Sequence, residues 1–155
     1  MSKKIEIERK FLVKHDALQD KDIVEMYRIQ QGYIAKNKNG AVRIRIEENE
    51  EKGTVNAYLM SKVKINDMSN IETTDEITVE AAKLLLFYFP EKVIDKTRFV
   101  VMHNGNKWEI DLFKSPNRGL LLAEIELESE TQEFEMPPWV VKEVTGQPEY
   151  YNANM

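Results

Sequence analysis

The stretch Glu6-Ile7-Glu8-Arg9-Lys10-Phe11, near the N-terminus, alternates charged and mainly apolar side chains. Successive side chains of a β-strand point to opposite faces, so this stretch predicts a strand with Glu6, Glu8 and Lys10 on one face. Taken alone, the pattern is typical of an amphipathic strand that buries its apolar face and leaves a charged stripe in water. The other strands decide whether that stripe is only solvated or has a function.

The composition is that of a soluble globular domain. The 155 residues are 42% hydrophobic and 32% charged, which fits a single domain over residues 1–155 with its own core. No apolar run approaches the roughly 20 residues that span a bilayer, and the charged N-terminus does not resemble a secretion signal. We therefore expect a cytoplasmic protein that does not bind membranes. With no cysteine and only two histidines, any metal must be bound by oxygen.

The formal net charge is −5 at pH 7. This value argues against a broad basic surface, so we expect no nucleic acid as a partner. A local cationic pocket is compatible with the same total. The charge carried by each strand is therefore more informative than the sum.

Alternation and turn residues predict eight strands. They cover residues 5–13, 26–35, 41–47, 54–63, 71–79, 93–103, 107–113 and 120–128. Asn39-Gly40 is typical of a tight hairpin with positive φ. A helix is predicted over 81–89, ending before Pro90 and largely covered by the sheet, and a helical turn is predicted around 130–135. Eight strands with short turns predict a mainly β domain of the α+β class, a barrel or a sandwich with a few helices outside.

Charges collect on one face of seven of the eight strands. That face carries Glu6, Glu8, Lys10, Arg43, Arg45, Lys62, Glu76, Lys96, Arg98, Glu109, Asp111, Glu124, Glu126 and Glu128. Two arrangements are open: a packed barrel with the charges in solvent, or a wide barrel with the charges inside. Like charges two residues apart repel by roughly 3 kcal/mol at an effective dielectric constant near 20. Basic and acidic residues form separate clusters, which favours the second arrangement. A polyanionic ligand would balance the basic clusters, and the divalent cations bound with it would balance the acidic ones.

The ordered motifs resemble those of the CYTH superfamily, the triphosphate tunnel metalloenzymes. The first strand resembles the ExExK signature of that family. Further matching motifs are Gln31-Gly32-Tyr33, Arg43-Ile44-Arg45, Ser61-Lys62, Glu76, Lys96-Thr97-Arg98, Glu109-Ile110-Asp111, Glu124-Ile125-Glu126, and Glu143-Val144-Thr145 followed by Tyr150 and Asn152. The resemblance covers residues 5–152 and implies an eight-stranded antiparallel closed barrel, a tunnel with a charged interior.

The resemblance also implies a function. The expected activity is hydrolysis of a small-molecule triphosphate, mainly inorganic tripolyphosphate, with Mg²⁺ or Mn²⁺ as cofactor. Other members of the family are thiamine triphosphatases, class IV adenylate cyclases and RNA triphosphatases, so a class IV-type adenylate cyclase or a thiamine triphosphatase is an alternative. A polyphosphate or nucleotide sensor without turnover is an alternative of another class. A homodimer is compatible with the sequence.

Residue roles follow from the same resemblance. The metal-binding carboxylates are Glu6, Glu8, Glu124 and Glu126; the phosphate clamps are Lys10, Arg43, Arg45, Lys62, Lys96 and Arg98; the residues expected to act in catalysis are Glu8, Lys10, Glu109 and Asp111. In the fifth strand, relatives carry an Arg and a Glu before the position of Glu76, where this chain has Glu72 and Thr74. This departure predicts the loss of one cation and one carboxylate from the tunnel. Arg9, on the apolar face, is expected to pair with an acid of a covering helix.

Overall fold

The computed structural model describes residues 1–155. The strands are β1 (Ser2–Val13), β2 (Ile23–Asn37), β3 (Gly40–Asn49), β4 (Thr54–Lys64), β5 (Ser69–Ile77), β6 (Val93–His103), β7 (Asn106–Ser115), β8 (Leu121–Leu127) and β9 (Val140–Glu143). One α-helix, α1 (Val79–Tyr88), connects β5 to β6, and single 3-10 turns cover His15–Ala17, Asp20–Asp22, Pro148–Tyr150 and Asn152–Asn154.

Eight of the nine strands close into an antiparallel barrel. Neighbouring strands follow the order β1-β5-β4-β3-β2-β6-β7-β8, and β8 pairs with β1 to complete the circle. The predicted eight-stranded closed barrel is therefore confirmed. The additional strand β9 pairs with the end of β1 beyond β5, where Phe11 lies opposite Glu143. Sequence did not predict β9, because four residues are too few for a reliable alternation.

Most of the hydrophobic core lies outside the barrel wall. Phe11 and Trp108 point outward, are fully buried, and pack with their ring centroids 5.5 Å apart. The segment between β8 and β9 covers them with Phe134 and Trp139, and the Trp108 and Trp139 rings are 5.2 Å apart. Because the apolar face of the wall is buried there, the opposite, charged face points into the barrel. The arrangement with charges inside is the one observed.

Helix α1 covers a second part of the wall. It begins at the cap residue Thr78, whose hydroxyl accepts a hydrogen bond from the Ala81 amide at 3.1 Å. Ala82 and Leu86 pack against the outer side chains of β3 and β4. Phe87, however, is 80% exposed, so the expectation that the helix is largely covered is wrong. A single helix on a barrel can bury only the stripe that faces the wall.

Two other local predictions are wrong. The segment 130–135 contains a turn at residues 130 and 131 and is otherwise without regular structure, so it forms no helical turn. The hairpin between β2 and β3 uses no positive φ at Asn39 or Gly40. Gly40 is required for another reason: a Cβ atom there would collide with the backbone carbonyl of Lys62 on β4. No helix is both long and apolar enough to cross a membrane.

Replacing Gly40 by alanine is expected to destabilise the barrel by about 1–3 kcal/mol, because β3 must move away from β4 to admit the methyl group. Gly105, in the turn between β6 and β7, has a φ of +78° and open space around it. Gly105→Asn is a matched control expected to cost less than about 1 kcal/mol, because asparagine tolerates the left-handed region. Urea unfolding of both variants measures the difference, and equal stabilities would contradict the proposed close approach.

Apolar side chains and the C-terminal segment close one end of the barrel interior. The closing cluster consists of Ile94, Phe113, Leu122 and Val144. Residues 144–155, which we call the C-terminal strap, lie across this end, and Tyr150 and Met155 pack against the cluster. The remaining interior is a charged cavity.

Candidate active site

The barrel interior contains a cavity of about 590 Å³ whose lining is mostly polar. It is lined by all but one of the residues that sequence assigned to the site: Glu6, Glu8, Lys10, Arg43, Arg45, Lys62, Lys96, Arg98, Glu109, Glu124 and Glu126. Asp111 is the exception and lies behind the cavity wall, 2% exposed. Period-two alternation brings these residues together, because the inward positions of six strands, β1, β3, β4, β6, β7 and β8, face a common space.

Carboxylates of β1 and β8 form an acidic wall. Burial raises the pKa of Glu8 well above its ordinary value, and the negative charge of Glu124 is the second largest cause of this increase. Burial also disfavours the charge of Glu124, but Lys10 holds the pKa of that carboxyl well below its usual range. Lys10 Nζ lies 3.6 Å from Glu124 Oε1. Of the two carboxyls, Glu8 is therefore the one that takes up a proton more readily, and Glu124 is the one that keeps its charge.

Lys62 of β4 faces this wall. Its Nζ atom lies 2.7 Å from Glu6 Oε1, 3.6 Å from Glu8 Oε1 and 3.7 Å from Glu72 Oε2. Burial opposes its charge, yet Glu8 and Glu6 raise the pKa of Lys62 above its ordinary value. Glu6 Oε1 is buried and has no hydrogen bond of acceptable geometry, so one oxygen of this wall lacks a well-oriented donor.

Glu72 is a tunnel residue that sequence analysis missed. It is 6% exposed, lies directly opposite Lys62 in the β4–β5 register, and its Oε2 atom is 3.9 Å from Arg43 Nη2. Glu76, the position favoured from sequence, is exposed near the end of β5. The expected loss of a carboxylate from the fifth strand is therefore wrong. The alternation pattern could have identified Glu72, because Glu72 and Glu76 fall on the same face of the strand.

A buried ion-pair network links β6 and β7. Asp111 accepts hydrogen bonds from Lys96 Nζ at 2.7 Å and from Arg98 Nε and Nη2 at 2.8 and 2.9 Å. Burial disfavours its charge, but Arg98 and Lys96 hold the pKa of Asp111 well below its usual range. Arg98 Nη1 also donates to Glu109 Oε2 at 2.8 Å, on the cavity side. Asp111 thus holds two cations in place while Glu109 remains accessible.

The other cations of the cavity are held by neutral groups as well as by acids. Arg45 Nε donates to Gln31 Oε1 at 2.8 Å, and burial, followed by Arg43 and Arg98, lowers the pKa of Arg45 to about 10. Glu126 lies nearer the open end, where it pairs with Lys4 at 3.1 Å. Gln31 was part of a matched motif, but sequence assigned no contact to its side chain.

Arg9 lies on the outer face, as its parity predicted. Its guanidinium forms two hydrogen bonds with Glu143, at 2.8 and 2.6 Å, and its Cζ atom lies 5.1 Å from the ring centroid of Phe134. The partner acid belongs to β9, so the expectation of a helix acid is wrong. Arg9 therefore fastens β9 to the barrel and has no place in the cavity.

The sequence model of the CYTH domain family matches residues 4–153 of this chain. The chain belongs to the CYTH family. An inorganic triphosphatase of Acetivibrio thermocellus is 41% identical over 151 residues, covering 97% of this chain and 92% of that protein. The crystal structure of an inorganic triphosphatase aligns with a TM-score of 0.66 and 29% identity, covering 96% of this CYTH domain and 92% of that chain. A protein of Pyrococcus horikoshii, with a TM-score of 0.59 and 18% identity over 81% of this chain and 79% of its own, shares the fold.

The acidic wall of this CYTH domain suits a hard divalent cation. Its donors are carboxylate oxygens, and burial and the charge of Glu124 disfavour the charged form of Glu8, which a bound cation would favour. No group of three or more acidic or histidine side chains already converges on one point.

Proposed function

We propose that this protein is a divalent-metal-dependent inorganic triphosphatase with tripolyphosphate as its substrate. The observation that carries the proposal is the arrangement of the cavity, whose volume is about 590 Å³. The phosphate-clamp cations of β3, β4 and β6 face the carboxylates of β1 and β8 across it. A linear triphosphate brings negative charge to the cations and oxygen ligands to a metal on the acidic wall. The inorganic triphosphatase relative supports this substrate over organic triphosphates.

The cations of the cavity bind and orient the phosphate chain. Arg43, Arg45 and Arg98 offer planar donor groups for phosphate oxygens, and Lys62, Lys10 and Lys96 add compact charges. Their carboxylate partners hold these side chains in position before substrate arrives, so little reorganisation is needed. The residues therefore stabilise the charge that moves onto the leaving phosphate oxygens during phosphoryl transfer to water.

Glu109 and Asp111 have different proposed roles. Glu109 lines the cavity, so its carboxylate can orient the attacking water. Asp111 is enclosed by Lys96 and Arg98, and we assign it a positioning role for these two cations. Sequence suggested a catalytic role for Asp111, and the proposal replaces it with this positioning role.

Triphosphatases of this family depend on metals in general. We propose Mg²⁺ or Mn²⁺, held by Glu8 and Glu124 with Glu6 and Glu126 beside them. When bound, the metal would neutralise charge on the phosphate oxygens. The cytoplasmic location suggested from sequence stays a prediction, as does the possible homodimer.

Phosphate release tests the proposal directly. Tripolyphosphate, ATP, thiamine triphosphate and pyrophosphate are each incubated with the protein and Mg²⁺ or Mn²⁺. The proposal expects the highest kcat/KM for tripolyphosphate and no release after metal chelation. Tight binding of tripolyphosphate without release would establish a sensor instead, and formation of cyclic AMP with pyrophosphate from ATP would establish a cyclase.

Tripolyphosphate affinity is expected to fall as the pH rises above about 7. Burial lowers the pKa of Lys96 to about 7, with Arg98 and Arg45 acting in the same direction and Asp111 against it. The ammonium form that clamps phosphate is lost as the pH rises through this value, so affinity can fall up to about tenfold per pH unit. Bound phosphate favours the ammonium, so binding near pH 8 takes up a proton.

Calorimetric titration in two buffers of different ionisation enthalpy measures this proton uptake. Lys96→Met should bind without the uptake, whereas Lys83→Met, on the exposed face of α1, should behave as the unmodified protein. An affinity that increases between about pH 7 and 9 would contradict the assignment of Lys96 as a clamp.

A further inference from the structure

The C-terminal strap takes part in the cavity through its oxygen atoms. Lys10 Nζ donates to the Tyr150 carbonyl at 3.1 Å, and Lys36 Nζ donates to the Ala153 carbonyl at 2.8 Å. Lys96 Nζ donates to Asn152 Oδ1 at 2.8 Å. Three ammonium groups along one end of the cavity are thus bound by neutral oxygens of a single segment.

The lysines at this end are shared between the strap and acidic residues: Lys10 lies 3.6 Å from Glu124, Lys96 lies 2.7 Å from Asp111, and Lys64 lies 3.0 Å from Asp67. Lys64 also reaches the strap, since its Nζ atom and that of Lys10 both lie 5.9 Å from the ring centroid of Tyr151. A phosphate oxygen is a stronger partner for an ammonium than a carbonyl or an amide oxygen. Without the strap, the row of lysines would continue the phosphate-binding surface out of the barrel.

The strap is firmly attached at its beginning. Val144 is fully buried, and its amide donates to the Lys10 carbonyl at 2.8 Å. Thr145 Oγ1 accepts a hydrogen bond from the Lys10 amide at 2.9 Å. Asn152 is fixed by a second donor, Gln31 Nε2, at 2.9 Å. These contacts hold the strap oxygens against the lysines at this end of the cavity.

We propose that the C-terminal strap is a chain-length stop that restricts the substrate to short linear polyphosphates, with Asn152 as the residue that closes the phosphate-binding surface. The proposal rests on the proposed triphosphatase function and adds its substrate range. A longer polyphosphate must displace the strap oxygens from Lys96, Lys10 and Lys36, and the packing of Tyr150 and Met155 opposes this.

The test compares hydrolysis of tripolyphosphate with hydrolysis of long-chain linear polyphosphate. The variants are Asn152→Ala and a truncation after Gln147; Glu149→Ala, an exposed strap residue, is the control. The unmodified protein and the control are expected to favour tripolyphosphate by more than about tenfold in kcat/KM. The truncation should reduce this preference at least about tenfold, and Asn152→Ala several-fold, mainly by accelerating cleavage of the long chain.

Two results would overturn the proposal: an unchanged preference in a truncation that still unfolds cooperatively, or equal rates on both substrates in the unmodified protein. If the truncation does not fold, the preference of Asn152→Ala decides. If the unmodified protein cleaves neither substrate, the triphosphatase function fails. Calorimetric binding of the same two polyphosphates then decides the role of the strap: preference for the short one, lost in Asn152→Ala, supports it, and equal affinity overturns it.

Discussion

Glu8→Gln is expected to lower metal-dependent tripolyphosphate hydrolysis by at least about a hundredfold while leaving the fold intact. Glu8 lies in the acidic wall between Lys62 and Glu124. Glutamine keeps the shape of the side chain, but it removes the charge that would hold a divalent cation. Because burial already disfavours the charged form of Glu8, the neutral amide should not destabilise the barrel.

Three measurements separate the parts of this prediction. Steady-state phosphate release gives the loss of activity, calorimetric titration with Mn²⁺ gives the loss of metal affinity, and thermal unfolding checks the fold. Glu128→Gln is the matched control, because Glu128 follows β8 and is exposed outside the cavity. Full activity of Glu8→Gln would remove Glu8 from the proposed metal site.

Asp111→Ala is expected to cost about 3–5 kcal/mol of stability and to reduce kcat/KM by at least about a hundredfold. The substitution leaves Lys96 and Arg98 without their shared carboxylate. The side chains of Lys96 and Arg98 are only 1% and 13% exposed, so an unbalanced charge and unpaired donors remain in the wall. The same two side chains lose the contacts that aim them at the cavity.

Asp111→Asn is a conservative comparison, since it keeps an acceptor for one of the hydrogen bonds and should recover part of the stability. Glu109→Ala is a second comparison for stability alone, because the Glu109 side chain is 30% exposed and its loss should cost about 1 kcal/mol or less. Urea unfolding and steady-state kinetics are measured on all three variants. Equal stabilities of Asp111→Ala and Glu109→Ala would contradict the network around Asp111.

Much of the barrel could be predicted from local patterns. Alternation identified all eight barrel strands, with boundaries that differ from the observed ones by up to about three residues. The predicted second strand is short at both ends of β2 (Ile23–Asn37), whereas the predicted fifth strand runs past Ile77 into the start of α1. Local patterns failed where nothing alternates. The strand β9 is only four residues long, the extent to which α1 is covered depends on the curvature of the wall, and Gly40 is needed because of a contact with another strand.

Three side chains of the site were not assigned from sequence, for different reasons. Glu72 lies on the charged parity, but the resemblance directed attention to Glu76. Gln31 and Asn152 are neutral, so charge patterning did not select them. They meet through one hydrogen bond between β2 and the C-terminal strap, which are far apart along the chain.

Sequence by itself determined which charged residues share a face, and through the family motifs it indicated that this face is a phosphate site. The reason is physical: the period of two is a local property of a strand and needs no knowledge of its neighbours. Tertiary structure decided which charges meet. Lys62 faces Glu6 and Glu72, and Asp111 lies behind Lys96 and Arg98, because strand register and barrel closure set these distances. Only the closed barrel could also show that the strap ends the cavity.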